Sequence, residues 1–276
     1  GNQVYVATTS GLSRFDGVSF TNYNVASGAL ATNNIICIKA ETPNLIWLGC
    51  NDRLTEFNIN STFTTTSNID HLGTGQINCI YIDSQNDKWL GIDQQPILKY
   101  NGSTFQNANT LYGIYGSMSP THIKDIAAGP HNGIVFVNEN GSMSSPTSGS
   151  GVTELAPNGM VYQYFYPTLS YLLGVYVEND GANILVSALG QQLPKIYYSL
   201  NPSNNNAPFG SVNVNNFKML DINNVKAGIA NRSDMHWDLG GTGNAMYEVP
   251  KGSGKHSNFA SALWIGGLDN GGQLHG

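Results

Sequence analysis

The sequence predicts an all-β fold, a β-propeller of four-stranded blades with a repeat of about 42 residues, its ring either incomplete or closed by degenerate C-terminal blades. Three observations predict it. Trp47-Leu48-Gly49 returns as Trp89-Leu90-Gly91, a step of 42, and the same step back from Trp47 lands on Tyr5 in "VYVATTSGLSRFDGVSF". Cys37-Ile38 and Cys79-Ile80 keep that step, and the aromatic series Phe15, Phe57, Tyr100 and Phe20, Phe63, Phe105 hold it to within a residue. Only 11% of the side chains are charged, against roughly 25% in an ordinary domain. Asn, Gly, Ser and Thr supply the polarity instead, a chemistry suited to short strands and tight turns.

Taken in order, each unit reads as an alternating strand such as "CIYID", a turn such as "SQND", a strand such as "KWLGI", then "ILKYN" and a short strand around "STFQN". A blade of this kind has two apolar faces, so neighbouring blades must stack to cover them. Weaker copies follow at 121–141, where Ile126 and Val135 stand 46 after Ile80 and Trp89, and at 174–201, where Val175, Glu178 and Ile184 stand 95 after Ile80, Asp83 and Trp89. The organisation read from this is 1–200 as propeller repeats, 201–221 as an Asn-rich linker, and 222–276 as a β-rich segment that is either a last blade or the start of a following domain. "LWIGGLDNGGQL" (263–274) has the look of another Trp strand and turn.

With 12 Lys+Arg against 18 Asp+Glu the formal net charge is -6, and no basic run stands out. Nucleic acid is therefore not an expected partner, since phosphate binding needs clustered cations. No stretch approaches the ~20 apolar residues of a membrane helix. Cys37, Cys50 and Cys79 lack CxxC spacing and read as small buried hydrophobes rather than zinc ligands or a disulfide framework. The opening Gly1-Asn2-Gln3 reads as a processed mature protein or an excised fragment.

"GLSRFDGVSFTNYN" followed by "GALATNNIICIKAETPNLIWLG" resembles the two-component regulator propeller repeat, with its GL-x-x-[YF]-[DN]-G-x-x-[FW] and [IL]-W-[IL]-G-T elements. The likeness is good over 4–105 and fades towards 200. Cys50 and Ile92 replace the Thr after W-L-G, "NDRLTEF" lacks the Gly before Leu54, and the later copies lack the Trp. This resemblance implies a sensor ectodomain or another exported protein of Bacteroidetes type. Residues 222–275 resemble a segment of large secreted surface proteins of Bacteroidetes, often exported by the type IX system. That implies an extracellular, cell-surface or periplasmic location and a fragment of a longer polypeptide or surface assembly.

Trp47 and Trp89 are sugar-stacking platforms or packing elements. Recurrence at one point of each unit favours packing, because burying ~150–250 Å² at roughly 25 cal/mol per Å² contributes about 4–6 kcal/mol as an upper value. "DSQND" (83–87), "ENDGAN" (178–183) and "LDNGG" (268–272) bring calcium to mind as the one cofactor considered, but none follows the EF-hand spacing and the first two fall where hairpin turns belong. "PKGSGKHS" (250–257) departs from a phosphate loop at Val249 and His256. His71, His122, His131, His236, His256 and His275 show no metal-site or nucleophile-elbow spacing.

The ligand-binding candidates are the polar residues beside the W-L-G strands: Arg14, Asp16, Asn51, Asp52, Arg53, Asp93, Gln94 and Gln95. Loops at one face of a propeller converge on its channel, where ligands commonly bind. The sequence thus points to a non-enzymatic extracellular module for binding, adhesion or sensing, with a glycan or a peptide as ligand. Two other readings stay open: a carbohydrate-active enzyme with Asp52 and Asp93 as its acids, and a structural subunit of a surface assembly.

Overall fold

The structure, a computed structural model, describes residues 3–51, 53–59, 64–66, 75–112, 122–139, 151–165, 171–177, 183–189, 194–200, 217–220, 245–250, 261–268 and 274–275. The chain divides into two units, residues 1–126 and 127–276.

The first unit holds three sheets whose strands follow one another in chain order. β1 (Val4–Thr8), β2 (Gly11–Phe15) and β3 (Phe20–Tyr23) form the first, and β4 (Ile35–Thr42), β5 (Leu45–Cys50), β6 (Leu54–Asn58) and β7 (Thr64–Thr66) the second. β8 (Ile77–Ile82), β9 (Lys88–Ile92), β10 (Leu98–Tyr100) and β11 (Phe105–Asn107) form the third, followed by the short helix α1 (Ala108–Leu111). Every pairing is antiparallel. The strands of the third sheet fall on the segments read from the sequence, and β1, with Tyr5, occupies the place of the Trp strands β5 and β9. The first sheet accordingly has three strands, matching β5 to β7 of the second.

Gly and Asn set the turns. Asp16 and Asn101 begin the same tight turn in different repeats: Asp16 Oδ1 accepts from the N–H groups of Val18 and Ser19, both at 2.8 Å, and Asn101 Oδ1 from those of Ser103 and Thr104 at 3.0 and 2.8 Å. Gly17 and Gly102 follow them at φ 100° and 93°, which L side chains rarely adopt. Between β8 and β9, Asn86 takes φ 68° and Asp83 Oδ1 accepts from the N–H groups of Gln85 and Asp87. The stretch 83–87 is thus a hairpin turn organised by its own acid.

Alternation builds the core. Leu12 with Tyr5, Ala7 and Tyr23 on one face of the first sheet packs against Ile35, Ile46, Leu48, Cys50 and Phe57 of the second. The opposite face of the second sheet, carrying Trp47, Leu54 and Cys37, packs against Ile80, Leu90, Ile92, Leu98 and Tyr100 of the third. Trp47 and Trp89 are 3% and 4% exposed, so both are packing residues.

The division between the units falls inside β12 (His122–Ala128), which opens a four-stranded sheet with β13 (Ile134–Glu139), β14 (Gly151–Leu155) and β15 (Val161–Phe165). The second unit continues with a four-stranded sheet of β16 (Tyr171–Val177), β17 (Asn183–Leu189), β18 (Pro194–Leu200) and β19 (Phe217–Leu220), and a three-stranded one of β20 (Ala245–Pro250), β21 (Ser261–Leu268) and β22 (Leu274–His275). β19 lies inside the stretch read as a linker; 201–216 and 221–244 lie outside the described residues. Trp264 sits in β21, the central strand of its sheet, opposite Tyr247. No helix among the described residues is long and apolar enough to cross a membrane.

Candidate functional site

Two turns leave the ends of the Trp strands. Between β5 and β6 the Cys50 N–H donates to the Arg53 carbonyl at 3.0 Å. After β9 the chain turns through 93–97 into β10, and Asp93 is held to the start of β8 because its N–H donates to the Gln76 carbonyl at 2.8 Å. Gln94 takes φ 56°, a left-handed conformation, and is exposed, as is Asn51. Asp52 lies outside the described residues.

Around Asp93 the side chains form a connected polar group. Gln76 Nε2 donates to Asn78 Oδ1 at 2.8 Å. Asn78 Nδ2 donates to Asp93 Oδ1 at 3.2 Å and to the carbonyl of Ile123, at the start of β12, at 2.9 Å. All this occurs at one end of the first strand, where β8 begins and β9 ends. These contacts join two side-chain amides, one carboxylate and a backbone carbonyl. Such donors and acceptors recognise neutral polar ligands, hydroxyls or peptide groups, without the desolvation cost of a buried ion.

The candidates do not all share that end. Asp16 stands at the far end of β2, in the turn to β3, and its hydrogen bonds there account for its position: those from Ser19 and Val18 hold its carboxyl below the usual value. Arg14 pairs with Tyr5 and Thr21 in the register of the first sheet, half-buried. Its charge draws the Tyr5 hydroxyl down, while burial, the larger effect, leaves it raised. The structure therefore groups Asn51 and Arg53 with one turn, Asp93, Gln94 and Gln95 with its repeat equivalent, and separates Arg14 and Asp16 from both.

The acidic turn 83–87 spends its carboxylates internally. Beyond its two backbone partners, Asp83 accepts from Trp89 Nε1 through Oδ2 at 2.8 Å, and Asp87 pairs with Lys99 at 2.7 Å. Residues 178–182, 251–260 and 269–273, which carry most of the other two acidic stretches and of the glycine-lysine stretch, lie outside the described residues, as do His71, His236 and His256. Among the described residues no three His, Cys, Asp or Glu side chains are grouped to hold a metal.

Sequence reading missed two constellations. Glu41 and Asp83 each stand six residues before a Trp and bond its indole N–H, a spacing visible in hindsight in both repeats. In the second unit Glu154, fully buried, accepts from the His131 N–H at 2.7 Å and lies 2.8 Å from His131 Nδ1, while the imidazole stacks on Tyr162 at 4.3 Å. Twenty-three residues and a strand pairing separate the two partners, so no local motif announces them.

No protein-family model and no curated protein matches the chain. Solved structures do. The extracellular domain of the hybrid two-component system BT3049 from B. thetaiotaomicron superposes with TM-score 0.54 at 17% identity, over 72% of this chain and 26% of that one. PorZ, a surface component of the type-IX secretion system of Porphyromonas gingivalis, gives 0.52 at 14%, over 74% and 30%. The gluconolactonase XC5397 from Xanthomonas campestris gives 0.54 at 14%, over 92% and 81%. The chain thus spans under a third of the first two neighbours. With the 42-residue register and the stacked sheets of the first unit, these likenesses make the fold a β-propeller of four-stranded blades, and extracellular domains of the kind its repeat resembles stand among its structural neighbours.

Proposed function

We propose that the chain is a non-enzymatic, extracellular binding module, serving sensing or adhesion within a longer cell-surface polypeptide or assembly. The observation that carries this is the amide-rich strand end of Gln76, Asn78, Asp93 and Gln94, with Asn51 at the equivalent turn. Neutral donors and acceptors at that end suit a glycan or an extended peptide. BT3049 and PorZ, an extracellular domain and a surface component, support the setting. In this reading β20 to β22 are a further blade, because Trp264 takes the central strand as Trp47 does.

The test is binding of the 276-residue chain to a panel of soluble polysaccharides and extended peptides, by calorimetry. Gln94→Ala and Asn51→Ala are expected to weaken the best binder about tenfold each, a change of about 1.4 kcal/mol. Asp16→Ala, in the turn at the far end of β2, is expected to leave affinity unchanged. Equal loss from all three variants, or no saturable binder, overturns the reading.

A carbohydrate-active enzyme is the second reading, favoured by the gluconolactonase neighbour and by the half-buried Asp93 carboxylate. Turnover of a glycan or lactone that Asp93→Asn abolishes would establish it in place of the first.

A further inference from the structure

The turn between β10 and β11 brings an amide carbon and a backbone nitrogen together in a reactive arrangement. Residues 101–104 are all exposed. Asn101 Oδ1 accepts from the N–H groups of Ser103 and Thr104 at 3.0 and 2.8 Å and from the Thr104 hydroxyl at 3.3 Å. These donors draw electron density from Cγ. They also stand where negative charge collects on Oδ1 when a nucleophile adds to that carbon, which is the work of an oxyanion hole. The nucleophile is the Gly102 backbone nitrogen, which closes a five-membered ring with Asn101 Cγ. A Cβ on Gly102 would meet nothing within 4 Å, and among the described residues its N–H donates to no other group.

The other two described Asn-Gly pairs lack this combination. At Asn158 the side-chain oxygen accepts from the Met160 N–H at 2.9 Å, but the Gly159 N–H is committed to the Ala156 carbonyl at 3.0 Å. At Asn132 the Gly133 carbonyl accepts from the Gly129 N–H at 2.7 Å, and a Cβ on Gly133 would press on the Leu155 carbonyl oxygen. The end of β14 thus leaves that backbone no room to turn. Asn140-Gly141 and Asn270-Gly271 lie outside the described residues.

We propose that Asn101 is a self-modification site, where the fold leaves deamidation open while closing it at Asn132 and Asn158. The Gly102 nitrogen bonds to Asn101 Cγ, the Cγ–Nδ2 bond breaks, and ammonia leaves with the Gly102 proton. Water then opens the cyclic imide. Opening at the side-chain carbonyl restores the peptide bond and leaves an aspartate; opening at the main-chain carbonyl routes the chain through the side chain. The fold already holds the first product. Asp16 begins the same turn in the first sheet, with Oδ1 accepting from Val18 and Ser19 and Oδ2 from the Ser19 hydroxyl at 3.2 Å. An aspartate at position 101 keeps the same bonds, and its charge strengthens them. The second product inserts a methylene between two three-residue strands and draws Phe105 away from the Tyr100 ring it stacks on at 4.3 Å. The third sheet therefore acquires with age the negative charge that the first sheet carries by sequence. This turn lies at the other end of β10 from the 93–97 turn, so it stands independently of the ligand reading.

The experiment incubates the 276-residue chain in mildly alkaline buffer, with and without urea, and follows peptides covering the three pairs by mass spectrometry. In the native chain Asn101 is expected to convert ahead of Asn158 and at least about tenfold faster than Asn132, the effect of a barrier lowered by one hydrogen bond. In urea, where only the shared Asn-Gly chemistry remains, that ordering should collapse. Gly102→Ala is expected to suppress conversion at 101. Since a side chain at φ 93° strains the turn, Asn101→Asp is the second variant, expected to keep the denaturation midpoint of the unmodified chain. Native conversion at Asn101 no faster than at Asn132 or Asn158, the same ordering in urea, or an Asn101→Asp chain that loses stability overturns the proposal.

Discussion

Glu41 Oε2 lies 3.0 Å from Lys88 Nζ, across the boundary between the second and third sheets, with the two side chains 10% and 6% exposed. The same carboxylate accepts from Trp47 Nε1 at 2.5 Å and from the side-chain amide of Asn86. The ammonium in turn stands 4.8 Å from the Trp47 ring. One acid therefore fixes the indole of its own sheet, the turn of the next, and a cation placed where the second sheet has Ile46. The link runs from a six-residue sequence spacing to the packing of adjacent blades.

Removing that acid is expected to destabilise the chain. Glu41→Ala leaves the buried Lys88 ammonium with the Asn86 carbonyl at 2.7 Å and the Trp47 ring at 4.8 Å. Breaking a buried pair from one side costs about 3–5 kcal/mol, and the retained carbonyl places this case near 3. Urea denaturation measures it, and Glu41→Ala with Lys88→Met should recover most of the loss. Burial pushes the Glu41 carboxyl up, but the donors Trp47, Lys88 and Asn86 prevail and hold it below the ordinary 4.5. Its contribution is then full above pH 4.5 and disappears as pH falls through the lowered folded value. Wild type should lose stability across that acid window more steeply than the variant; parallel profiles would refute the assignment.

The glycine of the Trp-Leu-Gly motif makes a second prediction. A Cβ on Gly49 would press on Cys37 Sγ and on Ile77 of the next sheet, and one on Gly91 would meet Cys79 and Ile123 in the same way. Gly49→Ala is expected to cost about 1–3 kcal/mol by overpacking. Cys37→Ala in the same chain should return part of that, since it removes one of the two obstacles. If the double variant is no more stable than Gly49→Ala alone, the sulfur is not the obstacle.

These residues also mark what was legible in the sequence. The period of 42 carried the strands, the Trp and Gly positions and the hairpin turn at 83–87, because each is a local pattern of the sequence. The place of Asp16 was not legible. Lying beside a motif in the chain says nothing of which end of a strand a residue occupies, and β2 carries Asp16 away from the end where Asn51 and Asp93 stand. The polar group of Gln76, Asn78 and Asp93 was half visible: Asp93 adjoins a landmark, while its partners come from the start of a different strand. His131 and Glu154 were invisible, since only the pairing of β13 with β14 brings their neighbourhoods together.

Thiol chemistry gives a third prediction. Burial pushes the Cys37 thiol up to about 12, and the Cys79 thiol is raised by burial as well. Both are then neutral at pH 8, and a thiol rather than a thiolate reacts slowly. An aromatic disulfide reagent is expected to leave these two unmodified in the native chain and to titrate all three cysteines in urea. The sign for stability follows: a raised acid favours the native state below the unfolded value of 9.0, and that advantage is lost as pH climbs from 9.0 towards about 12. Rapid native labelling of Cys37 or Cys79 would contradict the packing described.

The buried pair of the second unit permits a sharper test. Glu154 has no exposed surface, accepts from the His131 N–H and faces Nδ1, and a Cβ on Gly129 would meet its carboxyl carbon. Glu154→Gln keeps the volume but leaves one acceptor oxygen where the carboxylate has two, one towards the His131 N–H and one towards Nδ1. A loss of about 1–3 kcal/mol is expected, the range for disturbing a buried polar partner. Gly129→Ala should cost a similar amount, because the added methyl displaces the same carboxylate. Residues sharing one contact are not additive, so the double variant should lose less than the two single losses together, by about 0.5 kcal/mol or more. The Tyr162 ring, stacked on the imidazole at 4.3 Å, reports locally: its fluorescence or ring resonances should shift in either single variant. Full additivity with an unchanged Tyr162 signal would mean that Glu154 does not hold His131 in place.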